Sequence, residues 1–153
     1  SSDLILQCLQ AGDYQPADVR VDGERAGSDP RYAEQVQQAA ESLNVDAYLI
    51  PTDNAVVSAA ESVIQVAEDK GTPVFASDES TVERGAAAGL SVNYTQQGRD
   101  AAAVMLQLLE GTPASDIPVA TQKEFDLFVN EAGATAQGFT LPESIVSRAT
   151  KKF

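Results

Sequence analysis

Histidine is missing from all 153 residues, and cysteine occurs once. The first absence removes the commonest general base at neutral pH and the commonest transition-metal ligand. The second excludes an internal disulfide. Cys8 sits in the apolar stretch Leu4-Ile5-Leu6-Gln7-Cys8-Leu9 with no basic neighbour to lower its pKa, so it reads as a structural thiol. Basic residues are also scarce. Ten Lys and Arg stand against 23 Asp and Glu, a formal charge of −13. Such a surface repels phosphate backbones and anionic headgroups, so nucleic acid is not an expected partner. No apolar run approaches the roughly 20 residues that span a bilayer, and no signal-peptide pattern opens the chain. It begins Ser1-Ser2, without Met, and reads as a processed, truncated or recloned segment.

Short apolar runs alternate with amphipathic ones. Ser28-Asp29-Pro30 supplies an N-cap followed by Pro at the first helical position, and Tyr32, Val36, Ala39, Ala40 and Leu43 then recur at helical spacing. Val45–Ile50 reads as a strand. A helix to about Lys70 follows, with Val56, Ala59, Ala60, Val63, Ile64 and Ala67 inward and Gly71 as its stop. Val74–Ala76 is a second strand, a brief helical turn spans Thr81 to Arg84, and Leu90–Tyr94 is a third strand. Thr95 then caps a helix whose Ala102, Met105, Leu106 and Leu109 are expected to face inward. This alternation predicts an α/β fold, a doubly wound parallel sheet, with Val45–Ile50 and Val74–Ala76 as neighbouring inner strands. Residues 4–9 fit a helix or a buried strand, and Val19–Val21 fits an edge strand. Residues 112–123 form a Pro-broken connector, residues 124–130 a strand, and Leu141-Pro142-Glu143-Ser144 opens a basic C-terminal helix.

In an open parallel sheet, ligands bind beyond the carboxyl ends of the strands. Two polar clusters stand there, Thr52-Asp53-Asn54 and Ser77-Asp78-Glu79, with Asn93-Tyr94-Thr95 as a third. Their carboxylates suit an ammonium or a hydroxyl, and helix-start N–H groups suit an anion. Asp is equally a preferred N-cap, so spacing leaves cap and ligand contact both open for Asp53 and Asp78. Tyr94 suits stacking on a flat ligand or half-buried packing. The nucleophile-elbow, phosphate-loop and dinucleotide glycine motifs are all missing, so no catalytic residue, cofactor site or metal site is assigned. Gly85–Gly89 suits close helix–strand packing better than a phosphate loop.

Several runs occur in the order of a known family. They are Val45-Asp46-Ala47-x-x-x-Pro51-Thr52-Asp53-Asn54, Pro73-Val74-Phe75-Ala76-Ser77-Asp78-Glu79, Gly85-Ala86, Tyr94-x-x-x-Gly98 and Leu109-x-Gly111. Pro113–Val119, Phe125-Asp126-Leu127-x-Val129-Asn130 and Gly138-x-x-Leu141-Pro142-Glu143-Ser144 continue the series. Across about residues 45–147 the chain resembles the C-terminal lobe of ABC-transporter substrate-binding proteins, a family that includes proteins of tryptophan and tyrosine uptake. Residues 1–27 match it poorly, and Asn93 stands where the family pattern carries Asp.

The resemblance implies a flavodoxin-like three-layer lobe of a type I periplasmic-binding-protein fold. It divides the chain into a ligand-binding lobe, 1–123, and a hinge-region strand with a C-terminal helical segment, 124–153, packing near the hinge or the partner lobe. The implied function is non-enzymatic capture of a small amino-acid-like or polar metabolite for an ABC importer. Thr52, Asp53, Asn54, Ser77, Asp78, Glu79 and Tyr94 would be the ligand contacts. Implied partners are the transporter permease and either a missing N-terminal lobe or a second copy in a dimer. The implied location is periplasmic or extracellular, with a lipoprotein anchor as an option. Family members run to roughly twice this length, so the chain reads as a fragment, a natural single-lobe relative or an engineered piece. A sensory effector-binding domain of the same fold is the alternative, and a small flavodoxin-like enzyme a more distant one.

Overall fold

The structure, a computed structural model, describes residues 31–153. The readings of Cys8, residues 4–9, Val19–Val21 and the cap at Ser28-Asp29-Pro30 lie outside the described residues. Helix α1 (Arg31–Ser42) leads to strand β1 (Tyr48–Ile50), and helices α2 (Asn54–Ser58) and α3 (Ala60–Lys70) lead to β2 (Val74–Ala76). Helix α4 (Glu79–Glu83) precedes β3 (Ala88–Val92), which runs into the long helix α5 (Tyr94–Leu109). A 3₁₀ turn at Ala114–Asp116, strand β4 (Phe125–Val129), short helices α6 (Glu131–Ala136) and α7 (Glu143–Val146) and strand β5 (Lys151–Lys152) complete the chain.

The five strands form one sheet in the order β1-β2-β3-β4-β5. β1, β2 and β3 run parallel, with Ile50 level with Ala76 and Ala76 level with Gly89. The fold is α/β with helices on both faces of the sheet, as the alternating pattern predicts. Two features differ from that pattern. β4 runs antiparallel to β3, Val92 opposite Phe125, while β4 and β5 are parallel, so the sheet is mixed. The cause is the path of the connection. α5 and the connector containing Pro113 and Pro118 leave and return at the same edge, so the chain re-enters the sheet reversed. Among the described residues, β1 ends the strand order rather than lying inside it.

Alternation along each strand divides the core in two. Tyr48, Ile50, Val74 and Ala76 point to the face covered by α1, α3 and α4, where Val36, Ala40, Val63, Ile64, Ala67 and Val82 meet them. Each fully buried Val contributes about 1.5–3 kcal/mol. The Tyr48 hydroxyl is carried into this layer and donates to the Ala40 carbonyl at 2.9 Å. Burial pushes the Tyr48 phenol above its ordinary pKa. Phe75, Ala88, Leu127 and Val129 point to the opposite face, under Ala134 of α6, Leu141 of the following loop, and Ile145 and Val146 of α7. Phe75 and Phe139 meet there edge to face at 6.0 Å.

Glycine allows the tightest approach between layers. A Cβ on Gly89 would lie 2.6 Å from Val82 Cγ2 and 2.8 Å from the Ala76 carbonyl oxygen. The small-residue run is therefore a helix–strand packing surface, as its composition predicts.

Three local expectations are corrected. The helix after β1 is broken at Ala59, whose ψ of 11° departs from helical geometry. The basic C-terminal helix is a single turn, and Lys151–Lys152 pairs with β4 instead. Asn93 rather than Thr95 caps α5, and no residue of that helix is buried. Met105, Leu106 and Leu109 are 60%, 59% and 78% exposed, so the face expected to point inward points to solvent.

Candidate functional site

Because β1, β2 and β3 are parallel, all three polar clusters stand at one sheet edge. Each strand end turns into a helix through the same local chemistry. Asp53 Oδ1 accepts the Val56 N–H at 3.1 Å, and Asp78 Oδ1 accepts the Thr81 N–H at 2.8 Å. Asn93 Oδ1 accepts the Gln96 N–H at 2.9 Å. A side-chain acceptor three residues before an unbonded helical N–H is the ordinary N-cap geometry, and it fixes where each polar side chain sits.

The first two clusters are joined directly. The Thr52 hydroxyl donates to the Ser77 carbonyl at 3.1 Å, and the Ser77 N–H donates to the Ile50 carbonyl at 3.0 Å. Thr52, Asp53 and Asn54 are exposed, while Ser77 and Asp78 are half-buried. The third cluster stands further out. Ala76 is level with Gly89, so Ser77 is level with Leu90 and Asn93 lies three residues beyond, about 10 Å along the strand. Tyr94, next in sequence, is 64% exposed.

Asp78 accepts three hydrogen bonds. Besides the Thr81 N–H, Oδ1 accepts the Ser80 hydroxyl at 2.7 Å and Oδ2 the Thr81 hydroxyl at 2.7 Å. Burial by itself would raise this carboxyl. The Ser80 and Thr81 donors and the nearby Arg84 guanidinium outweigh it and hold the group below its ordinary value. A carboxylate offers about four lone-pair positions, so an ammonium can still add to the three bonds already made.

Glu79 turns away from this pair of clusters. Its Oε1 accepts from Lys151 Nζ at 2.8 Å, and Lys151 also lies 4.3 Å from the centroid of the Phe153 ring. The hydrogen bond that Lys151 donates to Glu79 raises the Lys151 pKa, and the charges of Glu79 and Glu83 add to it. Sequence reasoning misses Lys151 and Arg84 as the cations beside these carboxylates. Arg84 carries a recoverable signal, since it follows Ser80 and Thr81 within one helical turn. Lys151 carries none, being 72 residues from its partner.

Among the described residues no group of three or more His, Cys, Asp or Glu side chains could hold a metal ion, and no helix is long and apolar enough to cross a membrane. The edge is a set of hydroxyls, carboxylates and one exposed aromatic ring. It is equipped for hydrogen bonding, charge pairing and stacking.

Residues 17–153 match the family described as ABC transporter substrate binding protein. The chain belongs to that family. The match begins well before the first motif legible in the sequence, at residue 17 rather than about residue 45. A tyrosine-binding protein of Clostridioides difficile is 37% identical over 99 residues, covering 63% of this chain and 29% of that protein. An uncharacterized protein of Rickettsia prowazekii is 30% identical over 102 residues, 67% of this chain and 34% of that protein.

Two solved structures share the architecture of this substrate-binding family member. A conserved domain protein from Vibrio cholerae superposes with a TM-score of 0.65 at 36% identity, covering 80% of this chain and 41% of that one. An ABC domain from Streptococcus pneumoniae in complex with L-Trp gives 0.64 at 25% identity, again covering 80% of this chain and 41% of that one. The chain thus spans about a third of the length of its curated relatives and 41% of the solved ones. Substrate-binding proteins are not enzymes, so the missing catalytic motifs agree with the family.

Proposed function

We propose that this chain forms one wall of a ligand cleft in an ABC importer's substrate-binding protein, and that the ligand is an aromatic amino acid. The observation that carries the reading is the joined strand-end edge. Thr52 and Ser77 lock two polar clusters side by side, and the exposed ring of Tyr94 stands on the same edge. Thr52, Asp53, Asn54, Ser77, Asp78 and Tyr94 are its contact residues, while Glu79, paired with Lys151, stands outside it. The carboxylates pair with the ligand's ammonium group, and Tyr94 stacks on its ring. The tyrosine-binding relative and the structure with L-Trp support the ligand class. In the same reading residues 1–123 are the lobe, residues 124–130 a hinge-region strand, the permease the downstream partner, and the location extracytoplasmic.

Calorimetric titration of L-tyrosine and L-tryptophan into the intact protein carrying this segment tests the assignment, with L-alanine as a ligand lacking a ring. A charge-assisted hydrogen bond contributes roughly 1.5–3 kcal/mol. Asp78→Asn should therefore weaken binding about 10- to 100-fold with only a small fall in melting temperature, because Asn remains a competent cap but loses the charge. Tyr94→Ala should weaken the aromatic ligands and leave alanine unaffected. Unchanged affinity in Asp78→Asn would reduce Asp78 to a cap and remove it from the site.

A further inference from the structure

Asp78 and Arg84 are linked through one hydroxyl. The Thr81 hydroxyl donates its hydrogen to Asp78 Oδ2 at 2.7 Å and accepts from Arg84 Nη2 at 3.3 Å. Nε of the same guanidinium donates to the Ser80 carbonyl at 3.2 Å, so the Arg84 side chain folds back along α4 toward the strand-end edge. Thr81 is fully buried, and the two charged residues it links are both half-buried. The two bonds share the Thr81 oxygen, so Arg84 Nη2 and Asp78 Oδ2 stand no further apart than the two lengths together. Among the described residues they are not in direct ion-pair contact, and the ion pair on α4 joins Glu79 to Lys151 instead. A carboxylate and a guanidinium thus stand close together, across a gap wider than an ion pair.

Both groups have bonding capacity left. Asp78 keeps a lone-pair position beyond its three bonds. The Arg84 donors on Nη1 have no acceptor among the described residues, and its two existing bonds lie at the long end of the usual range.

Charge decides what fits the gap. The chain carries −13 overall and this edge holds Asp53 and Asp78, so an anionic ligand group needs a local cation to approach. Of the two cations beside these carboxylates, Lys151 is engaged by Glu79 and lies against the Phe153 ring. That leaves Arg84. An amino acid carries its ammonium and its carboxylate on one carbon. With the ammonium on Asp78, the carboxylate is held a short distance away, on the scale of the gap that Thr81 spans. Guanidinium meets the two oxygens of a carboxylate with two parallel N–H donors.

We propose that Arg84 receives the ligand's carboxylate and forms with Asp78 a two-charge clamp on the zwitterionic head group of a free amino acid. The inference rests on the proposed function, which places the ligand's ammonium on this edge.

Calorimetric titration of the intact protein with L-tyrosine and with tyramine, which lacks the carboxylate, tests it. Wild type should bind L-tyrosine more tightly than tyramine. Arg84→Met should weaken L-tyrosine about 10- to 100-fold, the loss of a charge-assisted hydrogen bond, and leave tyramine unchanged. Arg84→Lys keeps the charge without the planar fork, and its affinity for L-tyrosine should fall between those of wild type and Arg84→Met. Equal wild-type affinity for the two ligands would overturn the proposal. So would an Arg84→Met protein that holds L-tyrosine as before, or one that loses both ligands alike, which is the result of a purely structural Arg84. Asp78→Asn separates this inference from the reading beneath it. If that variant also leaves L-tyrosine unaffected, the ligand edge itself is misplaced and both fall. If it weakens L-tyrosine while Arg84→Met does not, Arg84 alone leaves the site.

Discussion

Gln137 and Val74 are joined across 63 residues of sequence by one hydrogen bond, the Val74 N–H donating to Gln137 Oε1 at 2.8 Å. The same carboxamide donates through Nε2 to the Gly85 carbonyl at 2.8 Å, and its side chain is fully buried. One polar side chain from the end of α6 thus satisfies two backbone groups, one opening β2 and one following α4. Nearby, Asn130 caps α6 through the Gly133 N–H and donates to the Val82 carbonyl at 2.9 Å. These bonds fasten the C-terminal segment to the sheet.

Replacing Gln137 with Leu keeps a similar volume and strands both backbone groups away from water. An unsatisfied buried polar group costs about 1–3 kcal/mol, so the pair should lower stability by roughly 2–4 kcal/mol. Urea denaturation checks this, and a loss below about 0.5 kcal/mol would mean that water or a shift of backbone replaces the carboxamide.

The layers leave no space for a methyl group at two glycines. Gly89→Ala meets Val82 and the Ala76 carbonyl, and a Cβ on Gly133 would overlap the Gly85 carbonyl. Overpacking costs typically about 1–3 kcal/mol, and the Gly133 change should sit at or beyond the upper end because its obstacle is backbone. Thermal unfolding of the two variants should rank Gly133→Ala as the less stable.

Stability in acid should carry the signature of Asp78. Its folded-state pKa is depressed, so the carboxylate stabilises the fold above the unfolded value near 4, and the contribution is lost as pH falls through the folded value. Asp78→Ala removes the cap at every pH, costing about 1 kcal/mol near neutrality. The gap between wild type and variant, measured by urea midpoints at pH 7 and near pH 3, should narrow in acid. A constant gap would mean that the ionised carboxylate is not the stabilising species.

Lys70 closes the end of another helix. From the last turn of α3 its Nζ donates to the carbonyls of Glu41 and Leu43 at 2.6 Å each and to Ala40 at 3.3 Å. They lie at the C-terminus of α1, where the last carbonyls lack helical partners and a cation is favoured by the helix dipole; the Ala40 carbonyl also accepts from the Leu43 N–H and the Tyr48 hydroxyl. Lys70→Met should cost about 1 kcal/mol and reduce helical circular dichroism before the main unfolding transition. Coincident loss of all signal would show that α1 does not depend on this cap.

Sequence alone determined the alternating α/β segments and the polar residues at the strand ends. The reason is range. A strand's apolar run, the 3.6-residue repeat of Val63, Ile64 and Ala67, and a cap from Asp78 to Thr81 are all written within a few adjacent residues. The ordered family motifs were legible for the same reason. Tertiary structure alone decided the direction of β4, the turning of Glu79 toward Lys151, and the burial of Gln137 as a double hydrogen-bonding partner. Each depends on where a distant part of the chain returns, which no local pattern encodes. The exposure of Met105, Leu106 and Leu109 belongs with them. Their spacing shows that α5 has an apolar face, but only the path of the chain sets whether anything lies opposite it.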